Sequence, residues 1–146
     1  MTKRKTGKVK VKNFDSMTVS QIMEKEVQFI PLNMKGHMIA ALLTEGLGAV
    51  PVVEKGRKLV GIVSEHDLLA AVDDRLQLSD VTAKDIMTAN PYSVRPETTL
   101  GTIVHVLRAS DLVRVPVVDA TDKLVGIIAR RDVLQTYLAT GEKREQ

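Results

Sequence analysis

Val50-Pro51-Val52-Val53 runs on to Lys58-Leu59-Val60-Gly61-Ile62-Val63, and then to Ser64 and Asp67. Sixty-five residues later the chain repeats itself: Val115-Pro116-Val117-Val118, Lys123-Leu124-Val125-Gly126-Ile127-Ile128, then Ala129 and Asp132. Residues 50–69 and 115–134 align without a gap, with eleven identities in twenty positions. A duplication of this kind governs the fold expectation. Two similar units tend to pack face to face and leave clefts, and differences between the copies point to sites.

The rest of the chain fits around this repeat. Thr18 and Thr82 stand as N-caps before short helical turns ending at Ile22-Met23 and Ile86-Met87. Extended stretches follow, at Val27 to Pro31 and Tyr92 to Pro96, because the residue before a proline is pushed out of the helical region. Next come amphipathic helices. Leu100, Ile103, Val104 and Leu107 show helical spacing in one copy, and Met38, Ile39 and Leu42 in the other. Two β-branched strands per copy are expected at about 49–53 and 58–63, and at about 113–118 and 123–128. Glu54-Lys55-Gly56-Arg57 and Asp119-Ala120-Thr121-Asp122 join them as hairpin connections. A last helix closes each copy, carrying Leu68, Leu69 and Val72, or Val133, Leu134, Tyr137 and Leu138. The fold class is therefore α+β (α/β-like): two pseudo-symmetric repeats, each a small three-stranded sheet with helices on one face, packed sheet to sheet. Each copy alone, at about sixty residues, would be marginal. The expected boundaries are an arm at 1–16, repeats at 17–74 and 82–139, a linker at 75–81 and a tail at 140–146.

Composition narrows the function classes. Of 146 residues, 44% are hydrophobic but only 3% aromatic, so the core is aliphatic. The absence of cysteine removes disulfides, thiol chemistry and Cys-based zinc sites, and fits a reducing cytoplasm. The apolar runs are too short to span a bilayer, and the basic N-terminus lacks the apolar run of a secretory signal. Residues 1–12 carry six basic side chains and no acid, so the formal charge of +3 leaves −3 for residues 13–146. This arm reads as a solvated, flexible segment. A non-specific electrostatic contact with nucleic acid is possible only there.

Taken together, the doubled strand pair, the Leu-Val-Gly strand and the Asp six residues after its glycine resemble the CBS domain pair, or Bateman module, over residues 17–139. The resemblance implies two clefts between facing sheets, an adenosine nucleotide (AMP, ADP or ATP) as ligand, and pairing as a homodimer. It also implies a regulatory role exerted on an unknown protein partner, with no catalytic cofactor. In the family, the Ser or Thr and the Asp of the Ser64-x-x-Asp67 pattern hold ribose, since an ionised carboxylate accepts hydrogen bonds from both hydroxyls. From the two residues alone, a capping box is the simpler reading.

Repeat 2 departs from that pattern. Its helix begins Ala129-Arg130-Arg131-Asp132, where copy 1 has Ser64-Glu65-His66-Asp67. Alanine caps poorly, and each arginine in a first turn is unfavourable by roughly 0.3–1 kcal/mol. Local rules broken without gain mark a functional site. Arg114, where copy 1 has Ala49, adds a third cation. The resemblance suggests one composite site, with Ser64 and Asp67 on ribose, Ile62 and Val63 beside adenine, Arg114 and Arg131 on phosphate, and Tyr92 at the base. A second, weaker cleft would use Val27, Gln28, Phe29, Ile127, Ile128 and Asp132. Two alternatives stay open: a ligand-independent dimerisation or scaffold module, and a weak nucleic-acid binder through the basic arm.

An enzyme is not expected. Ser64, His66 and Asp67 diverge around a helix start and cannot line up as a triad. His37, His66 and His105 lack metal-ligand spacing. Gly46-x-Gly48 follows a helix instead of opening one, and no P-loop is present.

Overall fold

The computed structural model describes residues 13–110 and 112–140. The basic segment 1–12 and residues 141–146 of the tail lie outside the described residues. The elements in chain order are α1 (Val19–Ile22), β1 (Ile30–Pro31), α2 (Gly36–Leu42), β2 (Ala49–Glu54), β3 (Lys58–Ser64), α3 (Glu65–Asp73), α4 (Ala83–Ile86), β4 (Thr88–Ala89), α5 (Leu100–Ala109), β5 (Arg114–Val118), β6 (Leu124–Ala129) and α6 (Arg130–Thr140). A π turn at Leu43–Leu47 and short 3-10 turns at Lys55–Arg57 and Leu78–Asp80 connect them.

The chain divides into two compact units that do not follow chain order. The first-repeat unit is Val27–Tyr92 with Ala120–Leu124. The second-repeat unit takes residues 13–26, 93–110, 112–119 and 125–140. The opening turn of each repeat thus joins the body of the other: α1 belongs with α5, β5 and α6, and α4 with α2, β2 and β3. Hydrogen bonds hold each turn there. Val19 N–H donates to Thr98 O at 2.8 Å, and Ala83 N–H donates to Met34 O at 2.8 Å.

In the first-repeat unit the sheet order is β1-β2-β3-β4. β1 runs parallel to β2, and β3 is antiparallel to both β2 and β4. The expected three strands are present, and β4 adds a short fourth at the edge. Val50, Pro51, Val52 and Val53 are all buried, which explains why this strand reads as a continuous apolar run rather than an alternating one. Pro51 is tolerated in a central strand because β1 pairs only with Val52 and Val53, so the N–H that proline lacks has no partner to lose on that side. The second-repeat unit repeats the plan with less regular pairing. β5 and β6 form a sheet, flanked by a parallel bridge Val94↔Val117 and an antiparallel bridge Glu24↔Ile127.

Each glycine of the two Leu-Val-Gly strands makes room for that flanking segment. A Cβ on Gly61 would overlap Met87 Sδ and lie 3.1 Å from Thr88 O. A Cβ on Gly126 would lie 2.5 Å from Met23 Sδ and 3.1 Å from Glu24 O. The motif glycine therefore admits the fourth segment, and with it residues 24 and 88.

Each unit has its own aliphatic core. One gathers Ile30, Ile39, Leu43, Val50, Val52, Val63, Leu68 and Ala83. The other gathers Phe14, Val19, Leu100, Ile103, Val115, Val117, Ile128 and Val133. Burying each of the Val, Leu, Ile and Phe side chains contributes about 1.5–3 kcal/mol.

Several helical expectations need adjusting. Leu100, Ile103 and Leu107 face the core, but Val104 does not. In α2 the core side is Ile39, continued by Leu43 in the π turn, while Met38 is exposed. Residues 13–16 are helical instead of extending a free arm. Phe14 is 2% exposed and meets Tyr137 edge-on, with ring centroids 5.2 Å apart. The expected linker at 75–81 is also docked: Leu78 packs on the first-repeat core, and Gly36 N–H donates to Val81 O at 2.9 Å.

Candidate functional site

Four helices open in the same way. The backbone N–H before the first turn donates to the side chain three residues on: Thr18 to Gln21 at 2.8 Å, Ser64 to Asp67 at 2.8 Å, Thr82 to Asp85 at 2.8 Å and Ala129 to Asp132 at 3.2 Å. The capping reading of Ser64-x-x-Asp67 is thus realised. Asp67 N–H donates to Ser64 Oγ at 3.2 Å, and Ser64 Oγ donates to Asp67 Oδ2 at 3.0 Å. The other carboxylate oxygen, Oδ1, receives the Thr88 hydroxyl at 3.4 Å. Both Ser64 and Asp67 remain half-buried, at the point where β3 passes into α3. Capping and ligand contact are compatible here, since Oδ1 is held by one long hydrogen bond. Asp85 shows what the same cap does to a carboxyl. Hydrogen bonds from the Thr82 backbone N–H and then its hydroxyl hold Asp85 below the usual carboxylate range.

The second-repeat unit carries a cavity of about 620 Å³ at the start of α6. Glu24, Val113, Arg114, Ala129, Arg130, Arg131, Asp132 and Leu134 line it. Arg130 N–H donates to Val113 O at 3.0 Å, as Glu65 N–H donates to Gly48 O at 3.2 Å in the other unit. The lining thus holds three guanidiniums and two carboxylates, which leaves it net positive. Guanidiniums present a planar fork suited to phosphate or carboxylate, and the dipole at the start of an eleven-residue helix favours negative charge.

The structure sorts the expected site residues differently from the sequence. Arg114 and Arg131 share one cavity with Asp132, which the sequence placed in the weaker cleft. Ser64, Asp67, Ile62, Val63 and Tyr92 belong to the first-repeat unit. Val63 cannot flank a base with its side chain. It is fully buried in its core, and strand alternation turns Ile62, half-buried, to the opposite face. Ile128 is likewise fully buried, and Ile127 nearly so. Tyr92 is exposed.

Of the remaining residues, Val27 is half-buried and Gln28 exposed in the first-repeat unit. Phe29 lies at the hairpin end of that unit's sheet, far along β2 from Ser64. There Arg57 stacks on its ring at 4.7 Å, and it lines a shallow, apolar cavity with Val53, Glu54 and Lys55.

Sequence reasoning missed Glu24 and Thr88. Both follow the methionine that ends an opening turn, so aligning Met23 with Met87 would have paired them. Among the described residues no group of three or more His, Asp or Glu side chains could hold a metal ion, and no helix is long and apolar enough to cross a membrane.

A family model described as the CBS domain matches residues 19–74 and again residues 83–139. The CBS-pair protein CBSX2 from Arabidopsis thaliana superposes with a TM-score of 0.77 at 30% identity, over 85% of this chain and 96% of that one. A structure of CBSX2 in complex with AMP gives the same TM-score and identity over 84% and 97% of the two chains. Inosine-5'-monophosphate dehydrogenase of Methanocaldococcus jannaschii is 30% identical over 125 residues, which is 86% of this chain but 23% of that enzyme. Two further curated relatives are matched over 45% and 62% of their length. Two matches to one family model cover most of the sequence, in the order that the internal duplication lays down: the chain belongs to the CBS domain family, as a tandem pair.

Proposed function

We propose that this chain is a regulatory module that binds an adenosine nucleotide and has no catalytic role of its own. The observation that carries the reading is the arginine-lined cavity at the start of α6, with Asp132 among its walls. An anion there turns the unfavourable Arg130 and Arg131 into favourable contacts, and the Asp132 carboxylate can accept from ribose hydroxyls. In the first-repeat unit, Ser64, Asp67 and Thr88 offer a second ribose-type cluster, with Ile62 as the apolar neighbour. The likeness to CBSX2, whose structure was solved with AMP, supports the ligand class. Regulation would follow from differential affinity: a ligand that favours one arrangement of the module shifts its population, and a protein partner reads the change.

Isothermal titration with AMP, ADP and ATP tests this. Binding is expected, weakened at least tenfold by Arg131→Gln, an exposed position outside the core. Absence of heat and of thermal stabilisation with all three nucleotides would refute it.

A homodimer is favoured by a separate observation. Leu69 and Val72 on α3, and Leu134 and Leu138 on α6, are each more than half exposed, at spacings that align them along one side of their helix. Such stripes suit a second copy. Light scattering should give twice the chain mass, reverting to monomer in Leu134→Glu/Leu138→Glu.

A further inference from the structure

We propose that Glu24 sets the charge preference of the α6 cavity, acting as a built-in counter-charge that reduces its gain from polyphosphates relative to singly phosphorylated ligands. The inference rests on reading that cavity as an anion site.

Glu24 is placed there by the backbone. Its N–H donates to Ile127 O at 2.8 Å, and Ile127 N–H donates to Glu24 O at 3.0 Å. The Cβ-free Gly126 lets this segment lie close, so residue 24 cannot drift from the wall it lines. The first-repeat unit shows what the position reaches. Thr88 occupies the matching place on β4 and touches the motif carboxylate, Asp67, at 3.4 Å. In the second-repeat unit the matching residues are Glu24 and Asp132, two carboxylates lining one cavity. A second acid beside Asp132 has no value for capping, since Asp132 already receives the Ala129 N–H.

Its effect is on the ligand. Arg114, Arg130 and Arg131 supply three positive charges, and Glu24 and Asp132 remove two. Without Glu24 the cavity would gain most from the most highly charged anion. With it, each additional phosphate charge meets an opposing carboxylate. Between exposed charges roughly 5–6 Å apart in water, one such pair is worth about three- to fourfold in affinity. Two added charges, the step from AMP to ATP, therefore shift the preference by about tenfold.

The experiment measures dissociation constants for AMP, ADP and ATP, and for phosphate, pyrophosphate and tripolyphosphate, at low ionic strength. It uses the wild-type chain, Glu24→Gln and Glu24→Thr, the last introducing the residue of the other repeat. Both variants keep the backbone pairing and lie at an exposed position. The expected result is a ratio of ATP to AMP affinity that rises about tenfold in both variants, with a parallel rise for tripolyphosphate over phosphate. Equal changes for every ligand, or none, would overturn the role of Glu24 and leave the nucleotide reading intact. A charge-dependent response to the inorganic series without nucleotide binding would uphold Glu24 and overturn the nucleotide reading. Failure of every ligand to bind would overturn both.

Discussion

Replacing Gly126 with alanine tests why the Leu-Val-Gly strand exists in this chain. The added Cβ would sit 2.5 Å from Met23 Sδ and 3.0 Å from its Cγ, and 3.1 Å from Glu24 O. The sulfur can swing away, because methionine has three rotatable bonds. The carbonyl cannot, because Ile127 N–H holds it at 3.0 Å. Overpacking of this kind costs about 1–3 kcal/mol. Removing a glycine from a strand interior returns about 0.5–1 kcal/mol of conformational entropy. The balance is a net loss of about 0–2.5 kcal/mol, centred near 1, so the steric cost is the larger contribution. Urea unfolding followed by circular dichroism would measure it, with Met23→Ala completing a double-mutant cycle. In the Met23→Ala background the cost of Gly126→Ala should fall but not vanish, since the contact with Glu24 O persists. A Gly126→Ala protein as stable as wild type, or more so, would refute the reasoning. Strand propensity would then outweigh the close approach, and the glycine would not be what brings Glu24 to the cavity.

Phe14→Ala should destabilise the protein by about 3–5 kcal/mol, read by the same unfolding assay, because Phe14 is buried in the second-repeat core against Tyr137; a change below about 0.5 kcal/mol would show that residues 13–16 do not belong to the fold. Ala129→Ser should complete the cap that Asp132 already half forms and raise the melting temperature by an amount equivalent to about 1 kcal/mol. No gain there would mean that the α6 start is held open for other reasons. Asp85 has its carboxyl held below its ordinary value of 3.8 by Thr82, so the stability it contributes is present above that pH and is lost as pH falls through the folded-state value. Asp85→Asn should accordingly lower the melting temperature at neutral pH, with the gap to wild type closing in acid; a gap that stays constant with pH would contradict the assignment.

The amino-acid sequence determined much of this protein locally. The doubled Val-Pro-Val-Val and Leu-Val-Gly runs specified two copies of a strand pair, because β-branched runs and turn residues act over a few neighbours. Ser64-x-x-Asp67 and Thr82-x-x-Asp85 specified helix starts for the same reason, since a cap closes within four residues. Copy-to-copy comparison also singled out Arg114, Arg130 and Arg131.

What the sequence left open was every choice that depends on distant partners. Val63 and Ile62 look equivalent in a strand, and only packing decides that one is core and the other is not. Phe14 sits at the edge of a basic segment and looks free until Tyr137 is placed against it. The opening turns α1 and α4 begin their own repeats but join the opposite bodies, because their backbone donors find acceptors at Thr98 and Met34, outside any local window. That exchange brings Glu24 to the arginines and Thr88 to Asp67. The charge of the α6 cavity was therefore settled by tertiary structure, where a residue far from the motif in sequence is hydrogen-bonded directly beside it.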